Sequence, residues 1–226
     1  MSVKEEIKKY LIENEDKQNA PFERRIVCTN KRVYGLKTKL VEDKAREMAR
    51  RNISVQDLSF DSYEEIMIAG MMIGHKKISS REKIEELKTI LPYIDCWGLC
   101  DSIVPRLRKM EDQKEFFVSL LDSEKVFYIR VGIVWLMRYF LKNELKDTII
   151  LIKNVKNDDY YVKMAQSWVF AEAMIYDFDF MVDIIKNEKD QFVQLKAISK
   201  AIESFRISDE QKSFLRDLRA KLKECK

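Results

Sequence analysis

At 226 residues the chain is long enough to bury a full core as one domain or one short solenoid. Its 46% apolar and 35% charged residues exclude a disordered polymer, and three prolines with five glycines are too few turn formers for a strand-rich fold. The 42 Lys and Arg against 38 Asp and Glu leave a net charge of +4, which neither demands nor excludes a nucleic-acid partner.

The opening residues are charged from Lys4 onward and have no apolar h-region, so no secretion signal is expected. No apolar run approaches the roughly 18 residues that a membrane span needs. The expectation is a cytoplasmic protein with no membrane partner.

In chain order, Val3 to Glu15 reads as a polar amphipathic helix, followed by a loop over Asn14–Asn19. A second helix starts near Pro21, a good first-turn residue, and carries Phe22, Ile26 and Val27. Tyr34-Gly35-Leu36 is a turn, after which Thr38 is positioned to cap a helix over Lys39 to Arg51. Asp61 followed by Glu64 marks the start of a helix through Ile66 to Ile73. Ser79 followed by Glu82 is a capping box ahead of Ile84, Leu87 and Ile90. Pro92 ends that helix.

The next stretch, Cys96 to Pro105, reads as a short helix closed by a proline. Its apolar stripe runs through Cys96, Leu99, Cys100, Ile103 and Leu107, spaced three or four residues apart. Trp97 and Asp101 form an i,i+4 pair on a different face. Helices then follow over Lys114 to Leu121, Glu124 to Leu141, Leu145 to Lys153, Asp158 to Met174, Phe178 to Lys186, Asp190 to Phe205 and Ser208 to Lys223. Glu124 to Leu141 is apolar on almost every side and is expected to be central. Helix pairs recur at about 35 to 40 residues, the range of HEAT-type repeats. The expected fold is therefore all-α: one domain over residues 1–226, a right-handed α-α superhelix (HEAT-like or ARM-type solenoid) of about six helix pairs. Such a stack offers a concave binding surface.

The four cysteines, Cys28, Cys96, Cys100 and Cys225, form no CxxC pair and read as reduced core residues. No HExxH, Gly-rich phosphate loop or zinc-ligand spacing is present, so neither metal nor cofactor is expected. Arg130 lies in the middle of an apolar arc and needs a carboxylate, phosphate or carbonyl partner. Trp168 shares a face with Tyr161, Met164, Ala165 and Glu172. Trp97, Arg130 and Trp168 are one repeat apart each, which in a regular solenoid would put them on one surface.

These residues resemble the AlkD-like DNA alkylation repair glycosylases. Trp97-Gly98-Leu99-Cys100-Asp101-Ser102-Ile103-Val104-Pro105 is similar to that family's W-x-x-x-D-S-I-V-P segment. Ile129-Arg130-Val131-Gly132-Ile133 resembles its arginine opening an apolar run. Val162 to Val169 resembles its K-A-x-x-W-x helix, and Tyr34-Gly35-Leu36 its N-terminal turn. Gly98 and Cys100 depart from close members, and Trp135 is an extra tryptophan assigned to packing. The resemblance implies a HEAT-like solenoid that cradles duplex DNA containing alkylated bases and removes cationic purines without flipping them. It implies Trp97 and Trp168 as lesion-facing indoles, Asp101 as the catalytic carboxylate and Arg130 as a backbone contact.

The chemistry agrees. N3 or N7 alkylation makes a purine a cationic leaving group, so no general acid is required, and the single histidine, His75, is not needed. A carboxylate steadies the oxocarbenium-like sugar and activates water. Indole faces attract cations by about 0.5 to 2 kcal/mol each. Backbone contacts are expected among Lys37, Lys39, Arg106, Arg108, Lys163, Lys196 and Lys200, about half of them uninvolved. Glu172 is either a second carboxylate at the lesion or helix-surface charge. Two other readings stand beside the glycosylase. One is a non-catalytic DNA-binding solenoid for damaged or branched DNA, the other a protein-interaction scaffold. A monomer is the expected state.

Overall fold

The structure, a computed structural model, describes residues 1–224, in two compact units, Met1–Phe116 and Phe117–Lys226. Cys225 lies outside the described residues. Among them there are thirteen α-helices and five 3-10 turns. β-pairing is limited to one isolated bridge between Arg32 and Ser62. The fold is all-α, as the scarcity of turn formers requires. No described helix is long and apolar enough to cross a membrane.

The first unit contains α1 (Val3–Glu13), α2 (Asn19–Val27), α3 (Thr38–Arg50), α4 (Tyr63–His75), α5 (Ser80–Ile90) and α6 (Trp97–Ile103). Its core is built on α4, where every residue from Tyr63 to Ile73 is buried. Helix α3 packs on α4, and α5 and α6 pack on it as well. Two expected caps are corrected. The capping box of α4 is Ser62 with Glu65, one residue later than Asp61 and Glu64, because Glu64 points elsewhere. Thr38 is the first residue of α3, and the cap position falls to Lys37, whose side chain makes no capping bond. The Ser79–Glu82 box forms as expected.

Helix α7 (Lys114–Ser119) leads into α8 (Val126–Tyr139), α9 (Leu145–Lys153), α10 (Tyr160–Ala173), α11 (Phe178–Lys186), α12 (Gln191–Glu203) and α13 (Asp209–Glu224). In the second unit α10 packs on both α8 and α12, and also on its sequence neighbours α9 and α11. That is the layering of α-α repeats. Two glutamines fasten the pairs. Gln166 Nε2 of α10 donates to the carbonyl of Ile152 at 3.0 Å near the end of α9, and Gln194 Nε2 of α12 donates to that of Ile185 at 2.8 Å near the end of α11. Helix α8 is central, with Ile129 to Leu136 all buried.

Candidate functional site

Helix α6 is short because both ends are fixed. Cys96 holds the extended cap position, and the 3-10 turn Val104–Arg106 takes over after Ile103 with Pro105 in its first residues. The whole expected stripe of Cys96, Leu99, Cys100, Ile103 and Leu107 is buried. Burial pushes the Cys96 thiol up to about 12, so it is protonated and serves packing. The opposite character of Trp97 and Asp101 follows from the same geometry: both are half-buried, one turn apart on the face that the stripe leaves uncovered.

Two close approaches hold this helix in place. A Cβ at Gly98 would lie 2.6 Å from Tyr63 Oη and 2.8 Å from Val27 Cγ1, so α6 can sit against α4 and α2 only with glycine there. A Cβ at Gly70 of α4 would lie 2.6 Å from the Ile103 side chain. Trp97 is held from its polar edge as well. Its indole Nε1–H donates to the carbonyl of Ile26 at 3.1 Å, satisfying one of the carbonyls that the end of α2 leaves without a helical donor. The backbone of α2 therefore orients the indole.

Near α2 lies a carboxylate for which local spacing suggests only a capping role. Glu64 is buried, and its oxygens accept from the backbone N–H groups of Tyr34 (2.9 Å), Gly35 (2.7 Å) and Leu36 (3.4 Å). Gly35 has φ +75°, and a Cβ there would lie 2.6 Å from Ala20 N, so the turn requires glycine. Burial raises the Glu64 pKa, and the three N–H groups oppose that rise. Glu23 of α2 is pushed up to about 7, by burial first and by Glu64 second.

In the second unit Arg130 is only 5% exposed, and its Nη1 donates to the carbonyl of Tyr161 at 2.9 Å. A carbonyl is therefore one of its partners. This bond ties α8 to the first turn of α10, the helix that carries Trp168. Trp168 is half-buried between buried Ser167 and Val169. Ser167 Oγ donates to the Lys163 carbonyl at 2.7 Å, within α10. Trp135 is fully buried and stacks on Phe117 at 3.8 Å and 5°, which is the packing role expected of it.

The expected cations fall into two groups. Lys37 and Lys39 are exposed, with no carboxylate partner among the described residues. Arg106 is engaged: Nη2 bonds Glu42 Oε2 at 2.9 Å, and Nη1 donates to the Ser102 carbonyl at 2.9 Å. Lys163 sits between Asp158 and Asp190, 2.8 Å from each, and these carboxylates raise its pKa. Glu172 is paired with Arg206, and so belongs to the helix surface. His75 lies 3.5 Å from Glu42, and burial lowers its pKa. One expectation fails: Cys28 is exposed, because it is the left-handed residue closing α2 (φ 57°) and points away from the core. Among the described residues no group of three or more His, Cys, Asp or Glu could hold a metal ion.

The family model described as DNA alkylation repair enzyme matches residues 7–205. The chain belongs to this family. The match spans Trp97, Asp101, Arg130 and Trp168, and membership in the DNA alkylation repair enzyme family gives the chain a role in DNA repair and DNA as its partner. No curated protein matches the chain.

Proposed function

We propose that the protein is a DNA glycosylase that hydrolyses the N-glycosidic bond of cationic N3- and N7-alkylated purines in duplex DNA. The observation that carries the reading is the Trp97–Asp101 pair. An indole and a carboxylate share the face of α6 opposite its buried residues Gly98, Leu99, Cys100 and Ile103, and two glycines enforce the position of that helix. A carboxylate beside an indole in a DNA-binding protein adds negative charge that repels phosphate, which favours a chemical role over simple binding.

In the proposed reaction the C1′–N bond breaks, and its electron pair goes to the ring nitrogen, which neutralises the cationic base. Asp101 stabilises the positive charge developing on the sugar. Water adds to C1′ and gives a proton to the Asp101 carboxylate, leaving an abasic site and the free base. The Trp97 face attracts the base while it is still cationic, and Trp168 is assigned the same chemistry. Arg130, Lys37, Lys39, Arg106 and Lys163 form the proposed backbone set. Lys37 and Lys39 are ready as they stand, Arg106 and Lys163 exchange a carboxylate for phosphate, and Arg130 acts from a buried position. The reading includes a metal-independent enzyme that acts as a cytoplasmic monomer.

The test is release of N3- and N7-methylpurines from methylated duplex at low salt. Asp101→Asn should reduce release by about two orders of magnitude or more and Trp97→Ala by about tenfold or more, with both proteins still folded. Trp168→Ala should lose about tenfold, matching one cation–indole contact. Release no faster than the spontaneous reaction from the parent protein would sink the reading. Salt-dependent DNA binding without release would leave a non-catalytic binder of damaged DNA.

A further inference from the structure

Beside the Trp97 support lies a groove of about 940 Å³ whose walls come from α2 and the segment that follows it. Arg24, Arg25 and Arg32 line it together with Asn30 and Cys28, and no acidic residue does. Arg32 is occupied, 3.2 Å from Glu15 and with its guanidinium 4.1 Å from the centre of the Tyr34 ring. Arg24 and Arg25 are exposed and have no carboxylate partner among the described residues. None of these arginines stands out in the sequence as a candidate, because the +4 net charge gives no hint of where an acid-free patch will form.

We propose that this groove binds the sugar–phosphate backbone of the DNA, with Arg24 and Arg25 as its phosphate ligands. The proposal rests on the glycosylase reading, since it places the backbone relative to the Trp97 indole. Arg25 precedes Ile26, whose carbonyl holds that indole at 3.1 Å. Phosphates on one strand rise by about 3.4 Å per nucleotide, so a helix turn touching Trp97 meets phosphates within a nucleotide or two of a base stacked there. A guanidinium takes a phosphate bidentately, and the exposed Phe22 and Ile26 on α2 offer apolar surface to the sugars. Arg24 and Arg25 also sit in the last turn of α2, where cations favour the helix dipole. That role contributes to stability alone, and stability is measured separately below.

Cys28 supplies the readout, because it lines the groove and is exposed, whereas Cys96 and Cys100 are buried. In the full chain carrying Cys225→Ser, the rate of Cys28 alkylation by N-ethylmaleimide is measured with and without a short undamaged duplex. The same duplex is titrated against the parent and the Arg24→Ala/Arg25→Ala pair over a range of salt, and both proteins are melted. The duplex should slow alkylation severalfold. The pair should weaken binding and reduce the slope of log affinity against log salt by roughly 2, with melting little changed. Duplex binding with an unchanged slope, or with Cys28 still reacting at its free rate, overturns the groove and leaves the glycosylase reading intact. Equal protection by poly-glutamate marks a site for acidic polypeptides and also overturns it. Failure of the parent protein to bind duplex at all removes both.

Discussion

Glu23 ties protonation to the helix that orients Trp97. Its pKa rises from 4.5 to about 7 through burial and the neighbouring Glu64, so between these values the folded chain holds a proton that the unfolded chain has released. Stability from this residue therefore falls as pH rises from about 4.5 through 7. The Glu64 shift has the same sign, while His75, with its pKa lowered, works the other way as pH rises through 6.5. Comparison with Glu23→Gln isolates the Glu23 contribution, since glutamine stays neutral throughout. The variant should melt like the parent at pH 5 and above it at pH 8. The gain is at most about 3 kcal/mol at 1.36 kcal/mol per unit, and solvent screening at a half-buried site lowers it. Parallel pH curves for the two proteins would show that Glu23 does not titrate in this range.

At the scale of elements, the attachment of α6 depends on what glycine leaves out. Gly98→Ala puts a methyl group 2.6 Å from Tyr63 Oη and 2.8 Å from Val27 Cγ1. The expected cost is about 1–3 kcal/mol, typical of overpacking, together with a loss of base release as Trp97 shifts away from the Ile26 carbonyl. Adding Tyr63→Phe removes the nearer atom and should restore part of both losses, whereas a purely local helix effect would not respond to it. The elements themselves were legible in the sequence. Leu145–Lys153 and Phe178–Lys186 have the bounds their periodicity gives, because both are short amphipathic helices with clear flanking turns. Local spacing does not fix the cap of α4, because Asp61 and Ser62 are both good caps with a glutamate three residues on. The choice is made by tertiary structure: Glu64 is drawn to the N–H groups of a turn thirty residues earlier, which leaves Glu65 to close the box with Ser62. Local spacing carries no record of such a long-range partner.

For the molecule as a whole, the sequence made the Trp97–Asp101 face readable because a buried stripe and its complement share one period. It did not reveal that Ile26 holds the indole, since a backbone carbonyl has no side-chain signature. Nor did it show which of the 42 cations are already neutralised. That difference controls how DNA binding responds to salt. A cation that meets a phosphate while exposed releases counterions and steepens the salt dependence by nearly one unit. One held between carboxylates must first give them up, and its net contribution shrinks. Lys37→Ala/Lys39→Ala should therefore reduce the slope by roughly 2, close to one for each lysine. Lys163→Ala, which leaves Asp158 and Asp190 without their shared cation, should leave the slope nearly unchanged and lower the melting temperature instead. Titrating duplex affinity against salt for these two variants decides the matter. A full unit lost with Lys163→Ala would mean that phosphate displaces both carboxylates outright on binding, so that Lys163 counts in the DNA interface as much as an exposed lysine does.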